Sequence, residues 1–268
     1  MKIDVIVFTC DKYSSLWSYF YSFFNSYFPS ELIERFYFIT DKKPRYTYGI
    51  DESLFLANDS NNFFERIDPF LQNSKSDYFL LLLDDYFLYE NIDKKIFKSL
   101  LNFCFKISAD YLKLTITHNN TFYKKTFDFK NDIHLLKTAK AYSVDLYPSI
   151  WKKEFILQIK NDWQSNENTI WDFEGKIHKI NKSNKCYVYT GKKIKFIDVI
   201  RKGKLRREAH KMLLSKFNVN LTSHWPLMSK KESFRDRLIP FLSMYSPSFI
   251  KNAIKAKGKK KGKRYYSD

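Results

Sequence analysis

The sequence predicts an α/β fold: a mostly parallel central sheet flanked by helices, followed by a basic helical extension. Three observations carry this. Residues 2–9 and 36–40 are β-branched and aromatic runs separated by apolar residues at helical spacing. Such a strand–helix–strand unit implies a parallel pair with a right-handed crossover. Residues 78–83 form a continuous apolar run (YFLLLL), the pattern of a strand covered on both faces. Beyond Cys186-Tyr187-Val188-Tyr189 the chain turns basic, and residues 234–254 again carry apolar side chains at helical spacing, broken by Pro240 and Pro247.

The first strand stops at Cys10-Asp11-Lys12-Tyr13, and Ser14 and Ser15 are good helix caps. Leu16, Phe20, Phe23, Phe24 and Tyr27 then recur at helical spacing until Pro29. Strands one and two each end in a Thr with a nearby Asp, Thr9/Asp11 and Thr40/Asp41. Parallel pairing predicts that these ends lie side by side. Residues 61–73 predict a helix that Pro69 kinks or interrupts, leading into the apolar run as a third strand. A helix over 92–107 puts Ile96, Leu100, Phe103 and Ile107 on one stripe, and 110–117 is strand-like. Residues 118–140 read as polar and irregular, 141–148 as a strand, 152–159 as a short helix and 163–168 as a polar loop. The last stretch, 255–268, reads as a disordered low-complexity tail.

Composition narrows the function. The 44% hydrophobic and 19% aromatic content exclude disorder of the whole chain. At 268 residues the chain fits one large domain with an appendage, and the boundary is expected near residue 200, giving 1–200 and 201–268. Cys10, Cys104 and Cys186 are scattered, without a CxxC, which points to reduced thiols in a cytoplasmic setting. No signal-peptide pattern opens the sequence and no run is long enough to span a bilayer. The formal net charge of +18 admits nucleic acid, an anionic membrane or a phosphate-rich substrate as partner. Residues 251–264 hold eight basic residues and no acid, whereas the acids concentrate in the first half. A basic tail is a weaker sign of nucleic-acid binding than a basic face on the fold, and part of the Lys, Asn, Ile, Tyr and Phe richness is what an AT-rich genome produces.

Asp84-Asp85 directly follow the buried run. Unpaired carboxylates are costly to bury, so acids at a buried strand end face a metal, a cation or solvent. The carboxyl end of a parallel strand is also where open α/β sheets bind ligands. The bland alternative is that one acid caps the following turn and the other pairs with a lysine.

Taken in order, Val-Ile-Val-Phe-Thr-Cys-Asp (5–11), Phe-Ile-Thr-Asp (38–41), Ser-Asp-Tyr-Phe-Leu-Leu-Leu-Leu-Asp-Asp (76–85), Ser-Ile-Trp-Lys-Lys-Glu-Phe (149–155) and Trp-Asp-Phe-Glu (171–174) resemble a bacterial GT-A-fold (Rossmann-like) nucleotide-sugar glycosyltransferase of the capsule and lipopolysaccharide type, family-two-like. The resemblance covers roughly residues 2–180. It implies a divalent cation, Mn²⁺ or Mg²⁺, that bridges the donor pyrophosphate and takes one or two carboxylates. Asp85 is favoured as the ligand, with Asp84 as a second ligand or a contact to the donor ribose. The family's usual pattern is Asp-any-Asp, and adjacency here turns the two side chains apart. By the same resemblance Thr9, Asp11, Tyr13 and Asp41 contact the donor nucleotide, helix capping being the alternative for Asp11. Lys43 and Arg45 contact phosphates or are solvated surface charge.

An inverting transfer needs a base for the acceptor hydroxyl. Glu174 is the first candidate and Asp172 the second; the alternative for either is an acid that complements a helix dipole. Trp151 and Trp171 are candidates for stacking on sugar rings, against the more frequent fate of a tryptophan in the core. His178 or His210 is a candidate third metal ligand, against a structural role. The implied partners are a nucleotide-sugar donor, a surface-polysaccharide or lipid-linked glycan acceptor, and an anionic membrane surface met by the basic tail and the apolar residues beside it (Phe234, Leu238, Ile239, Phe241, Leu242, Phe249, Ile250, Ile254). That places the protein peripherally on the cytoplasmic face of the cell membrane, with no nucleic acid as partner. Rival readings are a nucleic-acid-binding protein acting through the tail and a nucleotidyltransferase. The latter lacks a Gly-rich phosphate loop after the first strand, in a chain with six glycines.

Overall fold

The computed structural model describes residues 2–115, 132–139, 142–163, 169–181 and 183–245, with the side chains of 171, 237 and 239–245 outside the described set. In chain order the elements are β1 (Ile3–Phe8), α1 (Ser14–Tyr27), β2 (Ile33–Thr40), β3 (Phe55–Ala57), α2 (Phe63–Asn73), β4 (Tyr78–Leu83), β5 (Tyr86–Leu88), α3 (Lys94–Ile107), β6 (Tyr111–Lys113), β7 (Ile133–Leu135), β8 (Ser149–Lys152), α4 (Lys153–Asp162), α5 (Ile170–Ile180), β9 (Cys186–Tyr189), β10 (Phe196–Asp198), β11 (Ile200–Arg201), β12 (Lys204–Leu205), α6 (Arg207–Phe217) and α7 (Lys230–Tyr245). Eight strands form one sheet in the order β3-β2-β1-β4-β8-β6-β9-β7. The pairs β1–β2, β1–β4, β2–β3 and β6–β9 are parallel, while β8 runs antiparallel between β4 and β6 and β7 runs antiparallel to β9. The α/β class with a mostly parallel sheet is therefore the observed one.

β1 shows why the sheet is covered on both sides. Ile3, Val5 and Val7 enter one core with α1 and α3, whereas Ile6 and Phe8 enter the other with α2, α4 and α5. That is the period-two alternation of a strand with two apolar faces. α2 runs unbroken through Pro69. The ring removes the N–H that the Glu65 carbonyl would accept, and the Asn58 amide supplies a replacement at 2.9 Å.

Several expectations are corrected. Residues 141–148 contain no strand among those described; the strand is β8, one step later. β3 and β7 are too short to show a period in the sequence. Residues 116–131, 164–168 and 246–268 lie outside the described residues, and with them most of the irregular stretch, the polar loop and the basic tail. The boundary expected near residue 200 runs through a shared core: Ile194, Val199, Ile200, Leu205, Leu213 and Trp225 belong to the same cluster as Val5 and Trp17. Antiparallel pairing of β10 with β5 ties this segment to the chain immediately after Asp85. Among the described residues no helix is long and apolar enough to cross a membrane.

Candidate functional site

The carboxyl ends of β1, β2 and β4 meet, because β1 pairs in parallel with both neighbours up to Phe8↔Ile39 and Phe8↔Leu83. Thr9, Asp11, Asp41, Asp84 and Asp85 are thereby gathered at one sheet edge. The Asp41 carboxylate accepts from the Asp11 backbone N–H at 2.7 Å, which fastens the loop after β1 to the end of β2. Asp11 does not act as a helix cap, since neither its own turn nor α1 carries a side-chain cap.

Asp84 and Asp85 sit in the turn between β4 and β5 rather than on a strand, and the turn sends them to different surroundings. Asp84 is 5% exposed. The Thr9 hydroxyl donates to it, and the Trp17 indole N–H donates to Thr9 Oγ1 at 2.8 Å. Burial pushes the Asp84 carboxyl up to about 7, against the lowering effect of those hydrogen bonds. Thr9 is therefore an inward-facing support for Asp84, and its hydroxyl is engaged there rather than facing a nucleotide. Asp85 is half-buried, and its Oδ1 is shut off from solvent with no hydrogen-bond partner. Burial raises its proton affinity well above the carboxylate range, and the charges of Asp198, Asp84 and Glu174 raise it further.

Three groups here were not singled out in the sequence. Arg66, 6% exposed on α2, donates to the carbonyls of Thr9 and Ile39 and lies 4.3 Å over the Phe8 ring. It puts a cation beneath the ends of β1 and β2. Asp198, opposite Tyr86 in the β5–β10 ladder, pairs with Arg206 at 2.9 Å. Next to it Arg201 pairs with Asp236 of α7 at 3.1 Å. Trp225 stacks on Tyr13 with centroids 4.9 Å apart and donates to Ser15. Tyr13 has one ring face covered in this way, and burial with the Asp85 and Asp84 charges pushes its hydroxyl up to about 12. An arginine in an amphipathic helix or an acid in a basic segment carries no local signal of its partners, so pattern reading passes over both.

The Glu174 side is built from other material. Glu174 is 7% exposed and its Oε1 accepts from the Leu146 backbone N–H at 2.9 Å. Burial pushes it up to about 7, the Asp145 charge raises it further, and the Leu146 N–H and Lys113 lower it. Its charge is felt by Asp85 and by Tyr147, which places all three in one electrostatic neighbourhood. Asp172, by contrast, belongs to the N-terminal cap of α5: the N-cap residue Thr169 accepts from the Asp172 N–H at 3.3 Å, and the Thr169 hydroxyl donates to the Asp172 carboxylate at 2.5 Å. The helix-terminal role thus accounts for Asp172.

Trp151 is corrected. It is fully buried, its ring lies among Tyr111, Phe155 and Phe173, and its indole N–H donates to Ser149 at 2.8 Å. It has no face to offer a sugar. The Trp171 side chain lies outside the described residues. Among the described residues no three His, Cys, Asp or Glu side chains converge to hold a metal ion, so no histidine completes a site with Asp84 and Asp85. If a divalent cation binds here, Asp85 is the residue that would hold it, since its Oδ1 has no hydrogen-bond partner. A surface hollow of about 500 Å³ lies elsewhere, on α6 between Arg207, His210, Lys211 and Leu227, and none of these carboxylates lines it.

These features define an α/β protein with a carboxylate cluster at the switch point of its sheet. No family model and no curated protein matches the chain. Among solved structures it is similar to TarS of S. aureus, residues 1–349, at 15% identity and a TM-score of 0.46 over 73% of this chain. The same protein in complex with UDP-GlcNAc gives 16%, 0.47 and 76%, and in complex with UDP 15%, 0.48 and 73%. The match spans 60% of each of those chains.

Proposed function

We propose that this protein is a glycosyltransferase that moves a sugar from a nucleotide-diphosphate sugar to a glycan or lipid-linked glycan acceptor. The observation that carries the reading is the orphaned Asp85 Oδ1, buried at the carboxyl end of β4 among Asp84, Asp198 and Glu174. A buried carboxylate oxygen without a donor is stable only when a cation or a proton reaches it. A divalent cation there supplies charge for the departing nucleoside diphosphate. Asp85 would hold it, the donor phosphates completing its shell. Asp41 and Asp11 offer acceptors to base and ribose, and Arg66 supports the loop that carries them. Glu174, at a proton affinity near neutrality, is matched to taking the acceptor hydroxyl proton as sugar transfer proceeds. The inverting course follows from that single base.

Membrane attachment is part of the same proposal. Phe234 is 67% exposed and Leu238 36% exposed, one turn apart on α7 and flanked by Lys230, Lys231 and Arg235. Apolar side chains beside basic ones suit an anionic lipid surface, each basic residue adding about 1 kcal/mol. The test is a panel of nucleotide sugars offered with and without Mn²⁺ while nucleoside diphosphate release is followed. At least one donor should be turned over; inertness toward every donor would sink the assignment.

A further inference from the structure

Lys113 is the last residue of the fully buried strand β6 and is 0% exposed; Asp145, on the irregular segment before β8, is 1% exposed. The Lys113 ammonium donates to Asp145 Oδ2, and nothing in the transfer reaction described above uses either group. The Tyr111 hydroxyl donates to the Asp145 backbone carbonyl at 3.1 Å and to its Oδ1 at 3.2 Å, while the Tyr147 N–H donates to the same Oδ1 at 3.3 Å. Asp145 is thus the knot of its own turn. That turn grips Glu174 twice: the Leu146 N–H donates to its carboxylate at 2.9 Å, and the Tyr142 N–H donates to its backbone carbonyl at 3.3 Å. Contacts then continue toward Asp85. Lys113 Nζ lies 4.7 Å from the Tyr147 ring, and Tyr147 meets Tyr86, the residue after Asp85, edge to face at 4.9 Å.

We propose that the buried Lys113–Asp145 pair is the positioning element of this site: through the Asp145–Tyr147 turn it fixes Glu174 and the charge around it. The proposal rests on the glycosyl-transfer reading only in calling Glu174 the base. A purely structural pair is a weak reason to bury two charges, since an apolar pair of similar volume is often as stable or more so. Among the described residues the groups that face Glu174 are Asp145 and Lys113, with Asp85 and Tyr147 beyond them. Asp145 pushes its proton affinity up, and Lys113 pushes it down less strongly.

The test follows the Glu174 carboxyl by ¹³C nuclear magnetic resonance as pH is varied, in the full chain, with Glu174→Gln to assign the signal. The wild type should titrate near neutrality. Lys113→Met/Asp145→Asn keeps an acceptor for Tyr111 and Tyr147 while removing both charges. Its Glu174 midpoint should fall by about one pH unit, and the pH profile of transfer should fall with it. Should that variant not fold, Lys113→Gln/Asp145→Asn gives the same reading, because it also removes both charges while leaving two neutral groups that can hydrogen-bond to each other. A folded variant whose Glu174 titrates where the wild type does overturns the proposal, as does a wild-type midpoint in the ordinary carboxylate range. If the midpoint moves but Glu174→Gln still transfers sugar, the coupling stands and the assignment of the base falls.

Discussion

On the side of the cluster proposed to hold the donor, the acidic groups sit at the carboxyl ends of β1, β2 and β4, at the places where those strands run out. On the Glu174 side the groups come from the last residue of β6, an irregular segment and the first turns of α5. The donor side is stabilised by ordinary hydrogen bonds among neighbours, Trp17 to Thr9 to Asp84, and leaves one oxygen of Asp85 unmatched. The Glu174 side is closed: a buried ion pair holds a turn, and the turn holds the acid. An open oxygen suits a group that must receive a ligand, and a closed bracket suits a group that must keep its place while a proton moves.

This contrast can be broken in order of expected effect. Glu174→Gln should lower transfer by about 10²- to 10⁴-fold while calorimetry finds nucleotide binding within about two-fold of wild type; loss of both together would mean that the two sides are not separate. Trp151→Ala should cost roughly 3–5 kcal/mol in urea unfolding, because a fully buried ring is removed. A folded Trp151→Phe should bind acceptor normally, and selective loss of acceptor binding would put that ring back in the site. Thr9→Val removes the Asp84 donor and should cost about 1–3 kcal/mol, with nucleotide binding retained once the protein is folded. Replacing Phe234 and Leu238 by Ser should weaken binding to phosphatidylglycerol vesicles several-fold and leave transfer to a soluble acceptor unchanged; undiminished binding would move the membrane contact elsewhere.

Acidity gives a further expectation. Burial raises Asp84 and Glu174 from ordinary values near 4 to about 7. The folded protein therefore holds protons that the unfolded chain has released across that interval, so each group's contribution is full below about 4 and lost as pH rises through about 7. The thermal midpoint without metal should decline from about pH 4 to about pH 7, and Mn²⁺ should recover part of the loss at the upper end. A midpoint that rises steadily through that interval would mean the carboxylates are ionised and paired.

That Thr9, Asp41 and Asp84 gather at one sheet edge was legible in the sequence because strand ends announce themselves. Thr9, Asp41 and Asp84 follow apolar runs, and parallel pairing forces those ends together whatever the side chains do. What pattern could not show is that Thr9 turns inward to Asp84. The Glu174 side was less legible. Lys113 sits in an otherwise apolar strand (DYLKLTIT), and a lysine there must be paired if the strand is buried on both faces. That was the available signal, but its partner lies 32 residues away on a segment without periodicity. Asp172 and Glu174 look alike in Trp-Asp-Phe-Glu, and only the α5 cap at Thr169 separates them. For Trp151 the sequence left sugar stacking open beside core packing, and the position of β8 inside the sheet between β4 and β6 decides for the core.

The most direct test of the central claim is calorimetry of uridine, guanosine and cytidine diphosphates, with and without Mn²⁺, on the wild type, Asp85→Asn and Asp84→Asn. At least one nucleotide should bind the wild type more tightly with Mn²⁺, by about 10²-fold if the cation contributes several kcal/mol. That gain should vanish in Asp85→Asn and persist in Asp84→Asn. Binding of none of the three nucleotides, or a Mn²⁺ gain that survives in Asp85→Asn, would contradict the account.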